Sequence, residues 1–167
     1  LGYTDHSQIH CSIVADTAAM ILKKFGYSEH DIELAKIAGY MHDIGNAINR
    51  THHAEYGALL ANELLKDTDM TLEDRITVVS AIGNHDESTG SPVGGAVDLV
   101  SAALIIADKT DVRRDRVRSE KGKAAFDIHD RVNYAVTQHK LKVNVDKKTI
   151  SLNLQIDTKI CSMYEYF

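Results

Sequence analysis

Apolar side chains recur at positions 14, 18, 21, 22 and 25, the 3.6-residue period of a helix that buries one face, and Gly26 supplies a stop. A first helix is therefore predicted over residues 7–25. Ser28 with Asp31 three residues later reads as a capping-box variant, and the nearly all-apolar run 37–44 closes on Gly45. A second helix is expected to reach Ile44, with His42 and Asp43 in its last turn. Helices follow over 53–66, over 72–83, opened by Thr71 with Asp74, and over 96–112, the last two separated by a loop at 87–95 that is rich in Gly and Ser and holds the one proline. Asp127 is a cap for a short helix through about 138. The period then drops from 3.6 to 2: Leu141, Val143 and Val145 alternate, Asp146-Lys147-Lys148 makes a turn, and Ile150, Leu152, Leu154 and Ile156 alternate back. The fold expected is all-α, with residues 1–138 as a helical metal-binding domain and 139–167 as a β-hairpin and C-terminal extension of the same domain. No internal repeat or low-complexity tract interrupts it.

Composition narrows the setting. A chain of 167 residues buries enough surface for one core without staples. Cys11 and Cys161 lie far apart and in no zinc-like spacing, which argues for a reducing compartment, the cytoplasm. The longest apolar stretch, 102–107, is too short to span a membrane. A formal charge of -5 gives no general attraction to duplex nucleic acid or anionic membrane, so an anionic substrate needs a local device such as a metal. The opening at Leu1 and the stop in Met163-Tyr-Glu-Tyr-Phe167 read as a piece of a longer protein.

Polar residues placed where the core should be carry the chemistry. His10 lies on the stripe 10, 14, 18, 21, 25, and His85 on the stripe 78, 82, 85; each taken singly reads as a satisfied core histidine. Asp108 is more telling. It follows Ala102-Ala-Leu-Ile-Ile-Ala107 on the face of Val97, Val100 and Leu104, where an unpaired carboxylate costs several kcal/mol. Lys109 points about 100° away around the helix, so a cation from elsewhere fits better. His10, His42, Asp43, His53, His85 and Asp108 together give four imidazoles and two carboxylates, a donor set suited to Fe, Mn, Ni, Co or Zn and too nitrogen-rich for a Ca or Mg cage. Asp43 has two oxygens with which to bridge two ions, and the negative end of the helix dipole favours a cation beside it. His53 opens its helix with Gly57 one turn on, where a small residue admits a close backbone or a substrate; His52 is the alternative ligand.

The order His10-Cys-Ser-Ile-Val-Ala15, Met41-His-Asp-Ile-Gly45, His53-Ala-Glu-Tyr-Gly57, His85 and Ala107-Asp108 resembles the HD-domain superfamily of metal-dependent phosphohydrolases over about residues 6–112. The resemblance implies an HD-type helical bundle in which His10, His42, Asp43 and Asp108 hold one metal. It further implies that His53 and His85, with bridging Asp43, hold a second, as in the branch that includes cyclic-dinucleotide phosphodiesterases and dinucleoside-polyphosphate hydrolases. A metal-bound hydroxide would then attack phosphorus in a phosphoester or phosphoanhydride of a small nucleotide-like substrate.

Departures from the pattern bear on substrate. Asn46 stands where many binuclear members carry a phosphate-contacting lysine, and Asn84-His-Asp-Glu-Ser-Thr-Gly-Ser-Pro92 lacks the second histidine and Gly-Tyr-Pro of the cyclic-di-GMP enzymes. Arg50 and Lys109 are the first replacements for the missing anchor, ahead of Arg113, Arg114, Arg116 and Arg118, of which Arg116 and Arg118 read as a solvated face. His129-Asp130 repeats the dipeptide but falls in the first turn after Asp127, where an acid complements the helix dipole. His6, one turn before His10, is placed to orient a ligand or substrate, and Asp111 to hydrogen-bond a ligand or Arg113 without being a ligand itself. His30 and His139 read as surface residues. On the same ligands a di-iron centre would support an oxygenase, and a metal-stabilised sensory or interaction module is the non-catalytic alternative; the hairpin edge would serve a homodimer.

Overall fold

The computed structural model describes residues 8–86, 95–117 and 128–166. His6, the cap Asp127, Arg118 and the loop over 87–94 lie outside them, as does the side chain of His129. The order is α1 (Gln8–Lys24), α2 (Glu29–Met41), a 3-10 turn (Ile44–Ala47), α3 (His53–Leu65), α4 (Leu72–Gly83) and α5 (Leu99–Thr110). A second 3-10 turn (Arg114–Arg116), α6 (Ile128–Ala135), β1 (Val136–Asn144), β2 (Thr149–Ile156) and α7 (Met163–Tyr166) complete it. This is a helical fold with a C-terminal antiparallel hairpin. No described helix is long and apolar enough to cross a membrane. The chain divides into two compact units, residues 11–109 and the remainder.

Local chemistry explains most of the helix ends. α1 stops where Gly26 takes φ +77, and Tyr27 N–H to Leu22 C=O with Gly26 N–H to Lys23 C=O closes the Schellman pattern. α2 opens on a complete capping box between Ser28 and Asp31, and Thr71 caps α4 by accepting from Asp74 N–H. Two boundaries differ from expectation. α5 begins at Leu99 rather than 96 because the Asp98 carboxylate accepts from Ser101 N–H at 2.7 Å, leaving Val97 outside the helix and more than half exposed. α2 ends at Met41 rather than Ile44: the chain tightens into the 3-10 turn so that Gly45 can meet α3, where a Cβ on Gly45 would stand 1.9 Å from His53 C=O.

Within residues 11–109 the core joins Val14, Ala18 and Leu22 of α1 to Leu34, Ala35 and Ala38 of α2, Ala61 of α3, Val78, Ala81 and Ile82 of α4, and Val100, Ala103, Leu104 and Ala107 of α5. Each buried Val, Leu or Ile contributes about 1.5–3 kcal/mol relative to exposure. The many alanines let helices approach closely, most of all at Gly39, where a Cβ would fall 2.7 Å from Ala15 Cα. At the surface His30 Nε2–H donates to Asp74 at 2.7 Å. That bond, then the Asp74 charge, raises the His30 pKa; Asp74 is lowered by the hydrogen bond from Thr71 and then by that from His30. The pair therefore stabilises most below pH 6.5 and is lost as pH rises through the raised histidine value; at the acid end it is lost as pH falls through the lowered carboxyl value. An NMR titration of the His30 ring is expected to give a midpoint above 6.5 that falls in Asp74→Asn. A midpoint indifferent to that substitution would dismiss the coupling.

In the second unit β1 and β2 pair with Leu141 opposite Leu152 and Val143 opposite Ile150, and the alternating face is half-buried. Val145 belongs to the turn, not the strand: Lys148, at φ 50, donates its N–H to Val145 C=O, and Asn144 Oδ1 accepts from Lys147 N–H. β1 starts at Val136, so α6 stops at Ala135 short of the expected 138. Arg114 ties the second 3-10 turn to α6, donating to Tyr134 C=O at 2.6 Å with its guanidinium 4.8 Å over the Tyr134 ring. Neither Cys11 nor Cys161 is in a disulfide.

Candidate metal centre

Three histidines of the 11–109 unit are held in the same way. His42 Nδ1 lies 2.7 Å from Gly39 C=O, His53 Nδ1 3.0 Å from Arg50 C=O, and His85 Nδ1 2.7 Å from Ile82 C=O. A carbonyl only accepts, so Nδ1 carries the proton in each ring and Nε2 is the lone-pair nitrogen of the neutral imidazole. In each case the carbonyl comes from three residues back, at a helix end or the turn before a helix, where carbonyls and N–H groups lack their usual partners. The chain thereby uses backbone carbonyls at helix ends and turns to orient three imidazoles.

Those rings converge on Asp43. His42 Nε2 stands 3.4 Å from Asp43 Oδ2, and His53 Nε2 stands 3.6 Å from Asp43 Oδ1. One carboxylate thus turns its two oxygens toward two different imidazoles. His85 packs edge-on against both, with ring centres 5.0 Å from His42 and 5.1 Å from His53. Donor atoms of His42, Asp43 and His85 all lie within 4.8 Å of one another, and all three residues are buried. Two donors each about 2.1 Å from one ion stand roughly 3.0–3.4 Å apart, so separations of this size suit a shared cation better than direct hydrogen bonds. Asp108 Oδ1 lies 3.7 Å from His42 Nε2. Its side chain is 28% exposed, so this carboxylate, expected on the apolar face of its helix, is only partly buried there.

The 3-10 turn sets these distances. Gly45 fits against His53 C=O and Gly57 N–H, and a Cβ on Gly57 would meet His42 C=O at 3.1 Å and Ile82 Cγ2 at 3.2 Å. Gly57 therefore admits backbone. Asn46, in the place of the missing lysine, donates Nδ2–H to Asp43 Oδ1 at 2.7 Å and to Asp43 C=O at 3.2 Å. It braces the carboxylate. His52 takes the N-cap position of α3 in left-handed conformation, φ 61, with an exposed ring beside Glu55, whereas His53 is mostly buried and faces Asp43. Asp86, not among the residues expected at the site, lies 3.6 Å from His53 Nδ1; its only signal in the sequence is adjacency to His85. Arg50 and Lys109 are exposed.

In the other unit His10 is buried, and its Nδ1 lies 2.7 Å from Asp111 Oδ2. Burial raises the Asp111 pKa, but the hydrogen bonds from His10 and Arg113 and the charges of Arg116 and Arg113 outweigh it and hold the carboxyl at about 2. Asp111 is therefore ionised and accepts from His10 Nδ1–H, which leaves Nε2 as the nitrogen through which the neutral ring could ligate. Arg113 donates Nε–H to Asp111 Oδ1 at 2.6 Å and pairs with Asp115. Arg116 is buried, not solvated as its sequence context suggests, because its Nη1–H donates to Asp111 C=O at 2.6 Å.

The HD-domain family model matches residues 8–113, most of the chain. The protein belongs to the HD-domain family. That family is in general one of metal-dependent phosphohydrolases, and the His/Asp groups above are of the kind that binds divalent metal. An uncharacterized protein of Methanocaldococcus jannaschii is 26% identical over 92% of this chain, which spans 65% of that protein. Ribonuclease Y of Lawsonia intracellularis is 34% identical over 61% of the chain, and ribonuclease Y 1 of Pediococcus pentosaceus 29% identical over 66%. The chain spans only 18% and 20% of those two enzymes. No solved structure matches it significantly.

Proposed function

We propose that this HD domain hydrolyses a phosphoester or phosphoanhydride bond of a nucleotide-like substrate, using two divalent transition-metal ions. The observation that carries the reading is Asp43, whose two oxygens face His42 Nε2 and His53 Nε2 separately. In the proposed assignment His10, His42, Asp43 and Asp108 serve one ion, following the motif order, and His53 and His85 serve the second with Asp43 between them. Bound ions would polarise a phosphoryl oxygen and lower the pKa of a coordinated water. The chain's own part is to hold four imidazoles in one tautomer and to brace Asp43 through Asn46. Arg50 and Lys109 are assigned to substrate phosphate. Arg50 and Lys109 are chosen because both are exposed and lie close in sequence to proposed ligands, whereas Arg113 and Arg116 bond to Asp111 and Arg114 to Tyr134. The relatives named ribonuclease Y favour a ribonucleotide phosphodiester within the substrate class, and two cysteines outside any disulfide suit a reducing cytoplasm.

The test is reconstitution with Mn, Fe, Co, Ni or Zn, elemental analysis, and anaerobic assay against nucleoside phosphates, dinucleoside polyphosphates and short single-stranded RNA. About two ions per chain and hydrolysis of at least one nucleotide substrate are expected. A ceiling of one ion per chain would refute the binuclear site. Oxygen consumption by the iron form without anaerobic hydrolysis would replace the proposal with an oxidative one.

A further inference from the structure

Asp111 is a buried acid held by several side chains, and the chemistry proposed above does not use it directly. One oxygen is taken by Arg113 Nε–H at 2.6 Å, while the other meets His10 Nδ1 at 2.7 Å. Its backbone carbonyl is held by Arg116 Nη1–H at 2.6 Å, and Arg116 Nε lies 3.7 Å from Oδ2. Two arginines therefore restrain Asp111: Arg113 also reaches Oδ2 through Nη2–H at 3.5 Å, and the shortest bond on that oxygen is the one with the His10 imidazole. The side chains of both His10 and Asp111 are 1% exposed, so water does not compete for this bond. A carboxylate that served only to satisfy a buried histidine would not need two guanidinium partners. Restraint on that scale suits a metal-ligating imidazole, since a carboxylate on the distal ring nitrogen sets the tautomer, fixes the ring plane and makes the other nitrogen a stronger donor.

We infer that Asp111 is a positioning residue for metal binding, acting through His10, with Arg113 and Arg116 as its clamps. The inference rests on the proposed role of His10 as a ligand. It also separates His10 from His42, His53 and His85, whose Nδ1 groups donate to neutral backbone carbonyls. Asp86 stands 3.6 Å from His53 Nδ1, beyond hydrogen-bond distance. His10 is thus the one ring of these four whose Nδ1–H donates to a carboxylate at 2.7 Å, which raises its donor strength above that of a ring held by a neutral carbonyl.

Cobalt(II) titration of the whole chain, followed by visible absorption and elemental analysis, tests this with His10→Ala, Asp111→Asn and Asp111→Ala. Asp111→Asn keeps the shape and an acceptor oxygen while removing the charge. It is expected to weaken, by about 10- to 100-fold, the binding event that His10→Ala weakens, to shift the cobalt absorption band, and to leave the other event unchanged. Asp111→Ala is expected to lose at least as much. Thermal unfolding of the metal-free variants checks folding, and affinities are compared per folded protein. If His10→Ala weakens cobalt binding while both Asp111 variants bind like the parent, the positioning role is wrong and the ligand assignment stands. If His10→Ala binds cobalt normally, the ligand assignment fails and the inference falls with it. A loss of thermal stability in the Asp111 variants with unaltered affinity and spectrum would reduce Asp111 to a structural residue and overturn the proposal.

Discussion

Gly45→Ala is expected to destabilise this protein by about 3 kcal/mol or more and to disperse its metal site. The added Cβ would lie 1.9 Å from His53 C=O, 2.5 Å from Gly57 N and 2.9 Å from His53 carbonyl carbon. All three atoms are backbone, so no rotamer change relieves the overlap, and the 3-10 turn must separate from α3. Overpacking costs about 1–3 kcal/mol where side chains can shift, and here they cannot help. For a chain of this size about 3 kcal/mol corresponds to roughly 6–12 °C in Tm. The separation also pulls Asp43 away from His53, so metal content should fall with stability. Gly83→Ala is the control: its Cβ would meet only the Ala58 Cβ at 3.4 Å, an ordinary contact, at the end of α4. Its Tm is expected to stay level or rise slightly. Equal Tm values for the two variants would contradict the close approach of the turn and α3.

Asp43→Ala is expected to have the largest effect on activity. Asp43 is 6% exposed, faces both His42 and His53, and is held by Asn46, so its removal deprives both proposed ions of their shared ligand. A metal supplies several kcal/mol of transition-state charge stabilisation, and about 4 kcal/mol corresponds to roughly a thousandfold in rate. Hydrolysis is expected to fall at least that far, with metal content dropping below one ion per chain. The metal-free variant should unfold close to the metal-free parent, while the stabilisation that added metal gives the parent should be missing. A variant that still loads two ions and turns over substrate would exclude Asp43 as the bridge.

Features encoded within a few residues of one another are legible in the chain itself. Ser28 with Asp31, Thr71 with Asp74, Gly26 and the alternation about Asp146-Lys147-Lys148 each act through local hydrogen bonds or backbone sterics, and each takes its expected place. The ends of α2 and α5 are less legible. The spacing of Asp98 to Ser101 does carry a capping signal, whereas nothing local tells that Gly45 must meet α3. A run of arginines reads as a solvated face unless the acid that receives it is known, and Arg116 departs from that reading because Asp111 receives it.

The sequence by itself determined the helical class, the appended hairpin and the ordered histidines and aspartates that mark the family, because periodicity, capping and motif order are properties of the chain alone. Only the tertiary structure decided that His53 rather than His52 turns toward Asp43, that Asn46 braces that carboxylate, and that Asp111 is clamped onto His10. His52 and His53 differ by one residue and about 100° of helical rotation, and which of them faces the site depends on where the 3-10 turn places the start of α3. Asp111 and His10 are 101 residues apart, so their bond exists only once the fold has closed.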